Sequence, residues 1–135
     1  MIGIEQLKKL PYRVNRMREI WNLYSKHLSK VPEITMIHHE NTQSGWIPWF
    51  IDIYIDDKIE LMNYLKQNKI GSRAVYPPLH TQLAYKKYNH LSFPQTEFFS
   101  KRGLWLPSST ALTNEQIVRI CNEIESFYRS KRSRL

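Results

Sequence analysis

Near the start of the chain, apolar side chains return every third or fourth position: Leu7, Leu10, Val14, Met17, Trp21, Tyr24 and Leu28. That spacing lines one face of a long helix. Pro11 interrupts it, because proline has no amide hydrogen to give and crowds the turn before it, so a kink or break is expected there. The stripe stays in phase across Pro11, so both halves are expected to face the same core. Val31-Pro32 ends the element, since a residue before proline avoids the helical region.

From there the period shortens to two. Glu33 to Ile37 is a short strand candidate. Ile47, Trp49, Ile51, Ile53 and Ile55 alternate with Pro48, Phe50, Asp52, Tyr54 and Asp56, which predicts a strand over 46–56 with one apolar face. Pro48 cannot donate to a ladder and belongs at the strand's start or on an edge. Asp57 and Glu60 have the spacing of a capping box for a helix that buries Ile59, Met62 and Leu65. Gly71 follows where a left-handed cap is often needed. Ser72 to Tyr76 is a further strand, running into Pro77-Pro78. A short helix is expected over 82–87 and another from Phe93-Pro94, with Phe98 and Phe99 inward. Gly103 to Leu106 is the next strand. Thr113 and Gln116 form a second capping box, ahead of the stripe Ile117, Ile120, Cys121, Ile124, Phe127 and Tyr128.

This order predicts an α+β fold: a small, mostly antiparallel sheet covered by helices on one face. It divides into a kinked linking helix over 1–30, an α+β small domain over 31–129 and a basic tail over 130–135.

Composition fits a single domain, with 41% hydrophobic residues in 135. The formal net charge of +8 points toward a polyanion. Half of that excess, however, lies in Arg129, Lys131, Arg132 and Arg134 at the end of the chain, where a solvated, frayed tail is the expectation. Cys121 is the single cysteine, which fits a reducing compartment, and its place on the last stripe makes it a buried structural thiol. No apolar run reaches the ~18 residues of a membrane span. The start, MIGIEQLKKL, lacks the apolar core of a signal peptide, so a cytoplasmic location is expected.

Most catalytic signatures are missing. There is no Gly-rich phosphate loop, no G-x-S-x-G and no H-E-x-x-H. His38 and His39 have no third ligand at a metal-like spacing and read as a solvated loop pair. Asp52, Asp56 and Asp57 lie close in sequence, but Asp56 reads as a strand end and Asp57 as a cap. One segment stands apart, Gly71 to His80. Its two prolines stiffen a loop that carries Arg73, Tyr76 and His80. Arg73 suits a phosphate or carboxylate, Tyr76 can hydrogen-bond and stack, and His80 can exchange protons near neutral pH. The same residues equally suit a rigid turn with a surface arginine and a half-buried tyrosine.

That segment resembles a motif of the DegT/DnrJ/StrS sugar aminotransferases, through Ile70-Gly71-Ser72-Arg73, Tyr76-Pro77-Pro78-Leu79-His80 and Leu83-Ala84-Tyr85. Gly3 to Leu7 and Arg16 to Ile20 resemble the family's linking helix. Phe93-Pro94, Leu104 to Pro107 and Leu112 to Ile117 resemble its closing strand and helix. Within the group, enzymes making 4-amino sugars on a nucleotide carrier, such as perosamine synthases, are most similar.

The resemblance implies the C-terminal small domain of a pyridoxal-phosphate enzyme that moves an amino group from an amino acid to a keto-sugar nucleotide. Arg73, Tyr76 and His80 are then the candidate substrate-binding residues. The cofactor lysine, the group pairing with the pyridinium nitrogen and the phosphate-binding groups belong to the family's upstream large domain. Lys66, Lys69, Lys86 and Lys87 match no cofactor-lysine motif. This chain alone is therefore expected to bind no cofactor and to be inactive without that large domain; the complete enzyme is expected to be a homodimer with no membrane partner. The alternative is a stand-alone basic module binding nucleic acid or another polyanion, which the motif order disfavours.

Overall fold

The computed structural model describes residues 2–37 and 45–134. Its first helices are α1 (Ile2–Lys8) and α2 (Leu10–Leu28). The break falls at Lys9, ahead of the proline. Pro11 lies in the first turn of α2, where an amide hydrogen would have no partner inside the helix in any case. Ile20, Tyr24 and Leu28 are buried, but Leu7 and Leu10 remain 65% and 49% exposed. The two halves of the stripe therefore do not share one core. Arg16 shows why. Its guanidinium binds the Leu112 carbonyl and Asn114 Oδ1 at the start of the last helix, so that helix gives the earlier residues nothing to pack on.

Three antiparallel strands, β1 (Ile51–Tyr54), β2 (Arg73–Ala74) and β3 (Gly103–Leu106), pair in the order β1-β3-β2. Ile51 lies opposite Leu106 and Ile53 opposite Leu104. The strand predicted over 46–56 is thus four residues long, because β3 offers only four partners. Ile51, Ile53 and Ile55 are buried as the alternation requires, while Trp49 is 81% exposed. Of the strand predicted at Glu33 to Ile37, an isolated bridge from Thr35 to Tyr54 is present.

Helix α3 (Lys58–Gln67) buries Leu61 and Leu65 and leaves Ile59 on the outside. Asp57 precedes it but makes no capping bond. Its carboxylate instead takes the Lys131 ammonium at 2.7 Å. The left-handed residue after α3 is Lys69, with φ 59°, not Gly71. The helix ends at Gln67, so the position that must reverse the chain falls two residues earlier than the glycine. Two short 3-10 helices follow, Leu79–Thr81 and Leu83–Tyr88, then α4 (Pro94–Arg102). Phe98 and Phe99 are not inward. Phe98 lies under the Arg102 guanidinium, and Phe99 meets the edge of Tyr54 on the sheet face away from the core.

Helix α5 (Asn114–Arg132) begins with the expected capping box. The Gln116 amide donates to Thr113 Oγ1 at 3.2 Å, and the Thr113 amide to Gln116 Oε1 at 2.9 Å. Ile117, Ile120, Cys121, Ile124 and Tyr128 then close the core against α2 and β1 and β3. Through Arg132 the basic end is helical rather than a free tail. It forms the last turn of α5, where Lys131 pairs with Asp57 and Glu60 and Arg132 with Glu33. No described helix is long and apolar enough to cross a membrane. His38 and His39 lie outside the described residues, and the described residues hold no group of three or more metal-ligating side chains.

Candidate functional site

Alternation fixes what the sheet shows on its other face. With Ile51, Ile53, Leu104 and Leu106 turned to the core, Asp52, Tyr54 and Trp105 must look away from it. The register sets Asp52 opposite Trp105 and Arg73 opposite the same Trp105. One row across the sheet therefore carries an acid, an indole and a guanidinium. Phe50 stacks on Trp105 at 4.2 Å with 13° between the rings, and Tyr76 meets the indole edge-on at 5.0 Å. The Arg73 guanidinium lies over both, 4.9 Å from the centre of Tyr76 and 5.7 Å from that of Trp105. It has no carboxylate partner among the described residues. Asp52 is half-buried: desolvation raises its carboxyl above the ordinary range, and the Trp105 indole pulls it partly back. Its Oδ1 is sealed from solvent and has no hydrogen-bond partner among the described residues.

The loop after β2 is held by polar side chains of its own and of α4. Ser100 Oγ donates to the Tyr76 carbonyl at 2.9 Å, Gln82 Nε2 to that of Pro77 at 3.2 Å, and Thr81 Oγ1 to that of Pro78 at 2.8 Å. Ser100 is tied in turn by the Lys58 ammonium, which donates to its carbonyl at 2.7 Å. Desolvation lowers the Lys58 ammonium below its ordinary pKa.

His80 sits elsewhere. It lines a separate, mainly apolar cavity of about 410 Å³ with Leu79, Tyr85, Tyr88, Leu91 and Phe93. Only 9% of it is exposed. Its Nε2 lies 3.2 Å from Glu97 Oε1, and its ring packs at 5.0 Å against Phe93. The three candidate residues thus divide: Arg73 and Tyr76 share the aromatic sheet face, and His80 faces a neighbouring cavity. Three contributors were not singled out as site residues from sequence. Asp52 and Trp105 could have been, because the period-two pattern puts both on the non-core face. Glu97 could not, because nothing local links it to a histidine seventeen positions back.

The model of the DegT/DnrJ/EryC1/StrS aminotransferase family matches residues 1–125. Among curated proteins, the chain is 32% identical over 133 residues to the GDP-perosamine synthase of Escherichia coli O157:H7, covering 96% of this chain and 35% of that protein. It is 31% identical to the GDP-perosamine synthase of Vibrio cholerae, over 94% of this chain and 36% of that one. The chain spans about a third of the length of these relatives. Among solved structures, the aminotransferase TlmJ from Streptoalloteichus hindustanus superposes with a TM-score of 0.80 at 25% identity, over 96% of this chain and 35% of that one. DesV of S. venezuelae superposes at 0.85 and 22% identity, over 93% and 34%, a likeness of fold.

Proposed function

The chain belongs to the DegT/DnrJ/EryC1/StrS aminotransferase family, and from that premise we propose that it is the C-terminal small domain of a nucleotide-sugar aminotransferase, active together with a large domain. The observation that carries this reading is the end-to-end match to two GDP-perosamine synthases over 94–96% of the chain and about a third of theirs. In the complete protein, a cytoplasmic homodimer, an amino acid gives its amino group to a keto-sugar nucleotide.

Pyridoxal phosphate is the family's cofactor, and the residues present do not fit a whole site for it. Among the described residues no lysine lines the apolar cavity beside His80, and the adjoining cavity carries Lys101 at an exposed site of α4. Lys58, partly desolvated, gives its ammonium to the Ser100 carbonyl. The covalent anchor is assigned to the two thirds of the relatives' length that this chain does not span. What this chain supplies is substrate binding. Arg73 offers forked N–H donors that match a phosphate. Tyr76 and Trp105 give a flat apolar wall, and His80 offers a ring nitrogen to a sugar hydroxyl.

The competing reading, a basic module for nucleic acid, loses support from Lys131 and Arg132, which are paired with acids of their own chain. The test is association. The chain is co-expressed with the remaining two thirds of the E. coli O157:H7 synthase, carrying an affinity tag. A stoichiometric complex is expected after salt washing. Recovery of the tagged piece alone would contradict the reading.

A further inference from the structure

Glu97 Oε1 lies against two nitrogens at once. The Phe93 amide donates to it at 3.0 Å, which fixes the carboxylate at the start of α4. His80 Nε2 reaches the same oxygen at 3.2 Å. A carboxylate oxygen can only accept, and a bare ring lone pair at that distance would repel it, so the favoured neutral tautomer carries its hydrogen on this nitrogen. The Phe93 ring packs at 5.0 Å and 51° against the imidazole. The other nitrogen, Nδ1, makes no hydrogen bond to a described residue and is not sealed from solvent. In a neutral imidazole with hydrogen on Nε2, Nδ1 is an acceptor.

We propose that Glu97 is a positioning residue for His80: it holds Nε2–H and turns Nδ1 toward the ligand as a hydrogen-bond acceptor. The chemistry it recognises is a donor, such as a hydroxyl or amino group, rather than a phosphate oxygen. Phosphate recognition is left to Arg73. That the ligand is a sugar rests on the reading above; the role of Glu97 does not, and it is measurable on this chain alone.

The experiment is nitrogen NMR of the purified chain with its histidines labelled, at a pH where the imidazoles are neutral. The His80 signals are identified by their loss in His80→Asn. A ring protonated at Nε2, with a slowly exchanging Hε2 proton and an unprotonated Nδ1, is expected. Glu97→Gln keeps an acceptor oxygen and should keep that proton signal. Glu97→Ala should lose it to exchange with water while the amide spectrum stays dispersed. Hydrogen on Nδ1 in the unaltered chain overturns the assignment, whether or not Glu97→Ala folds. So does an Hε2 signal that survives in folded Glu97→Ala. Added inorganic phosphate should leave both ring-nitrogen shifts unchanged, and a phosphate-dependent shift at Nδ1 would refute the acceptor role.

Discussion

The guanidinium of Arg73 lies 4.9 Å from the centre of the Tyr76 ring, and no carboxylate among the described residues holds it. Stacking over Tyr76 and Trp105 orients the fork and leaves its N–H groups available. In the complete enzyme, Arg73→Ala should remove a charge-assisted contact worth roughly 1.5–3 kcal/mol. That corresponds to a loss on the order of ten- to a hundredfold in kcat/KM. Tyr76→Phe keeps the ring and should cost less. Steady-state kinetics with the nucleotide-linked sugar decides; full activity in Arg73→Ala would remove it from the site.

Gly103 is set by crowding. A Cβ there would stand 2.6 Å from Val75 Cγ2 and 2.8 Å from the Phe99 carbonyl oxygen. The second neighbour is backbone and cannot turn aside. Gly103→Ala should therefore destabilise the chain by roughly 1–3 kcal/mol, the range for overpacking. Urea unfolding followed by circular dichroism measures this, and an unchanged midpoint would count against the close packing of β3 on α4.

Cys121 predicts the alkaline limb of stability. Desolvation pushes its thiol up to about 12, against about 8.5 for an exposed thiol. Burial also raises the Tyr24 and Tyr128 hydroxyls. The folded state holds these protons more tightly than the unfolded one. Their contribution is whole below the unfolded pKa and declines as pH rises through the interval up to the folded value. Stability should fall between about pH 8.5 and pH 12, and a disulfide reagent at pH 8 should label Cys121 only once denaturant opens the core. Rapid labelling of the folded chain would contradict its burial.

Much of this fold could be read from local pattern, and the failures have physical causes. β3 and the capping box of α5 matched because their signals are complete within a few residues: four apolar positions from Gly103 to Leu106, and Thr113 with Gln116. Asp57 failed as a cap because a lysine far along the chain, Lys131, competes for its carboxylate. The strand predicted from Trp46 is shorter because pairing depends on the length of its partner, which alternation does not contain. In the site, Arg73 and Tyr76 lie close together in sequence and meet in space. The contact of His80 with Glu97 joins a 3-10 turn to a separate helix and leaves no periodic trace.

The most direct measurement of the central claim is amino transfer by a hybrid protein. In it, the matching third of the E. coli O157:H7 GDP-perosamine synthase is replaced by residues 2–134 of this chain. The baseline is the same synthase with that third deleted. Loaded with cofactor and given an amino-acid donor and the synthase's own keto-sugar substrate, the hybrid should transfer the amino group well above the baseline, and Arg73→Ala should lower that rate. A folded hybrid no more active than the deletion would contradict the assignment of this chain as the substrate-binding small domain.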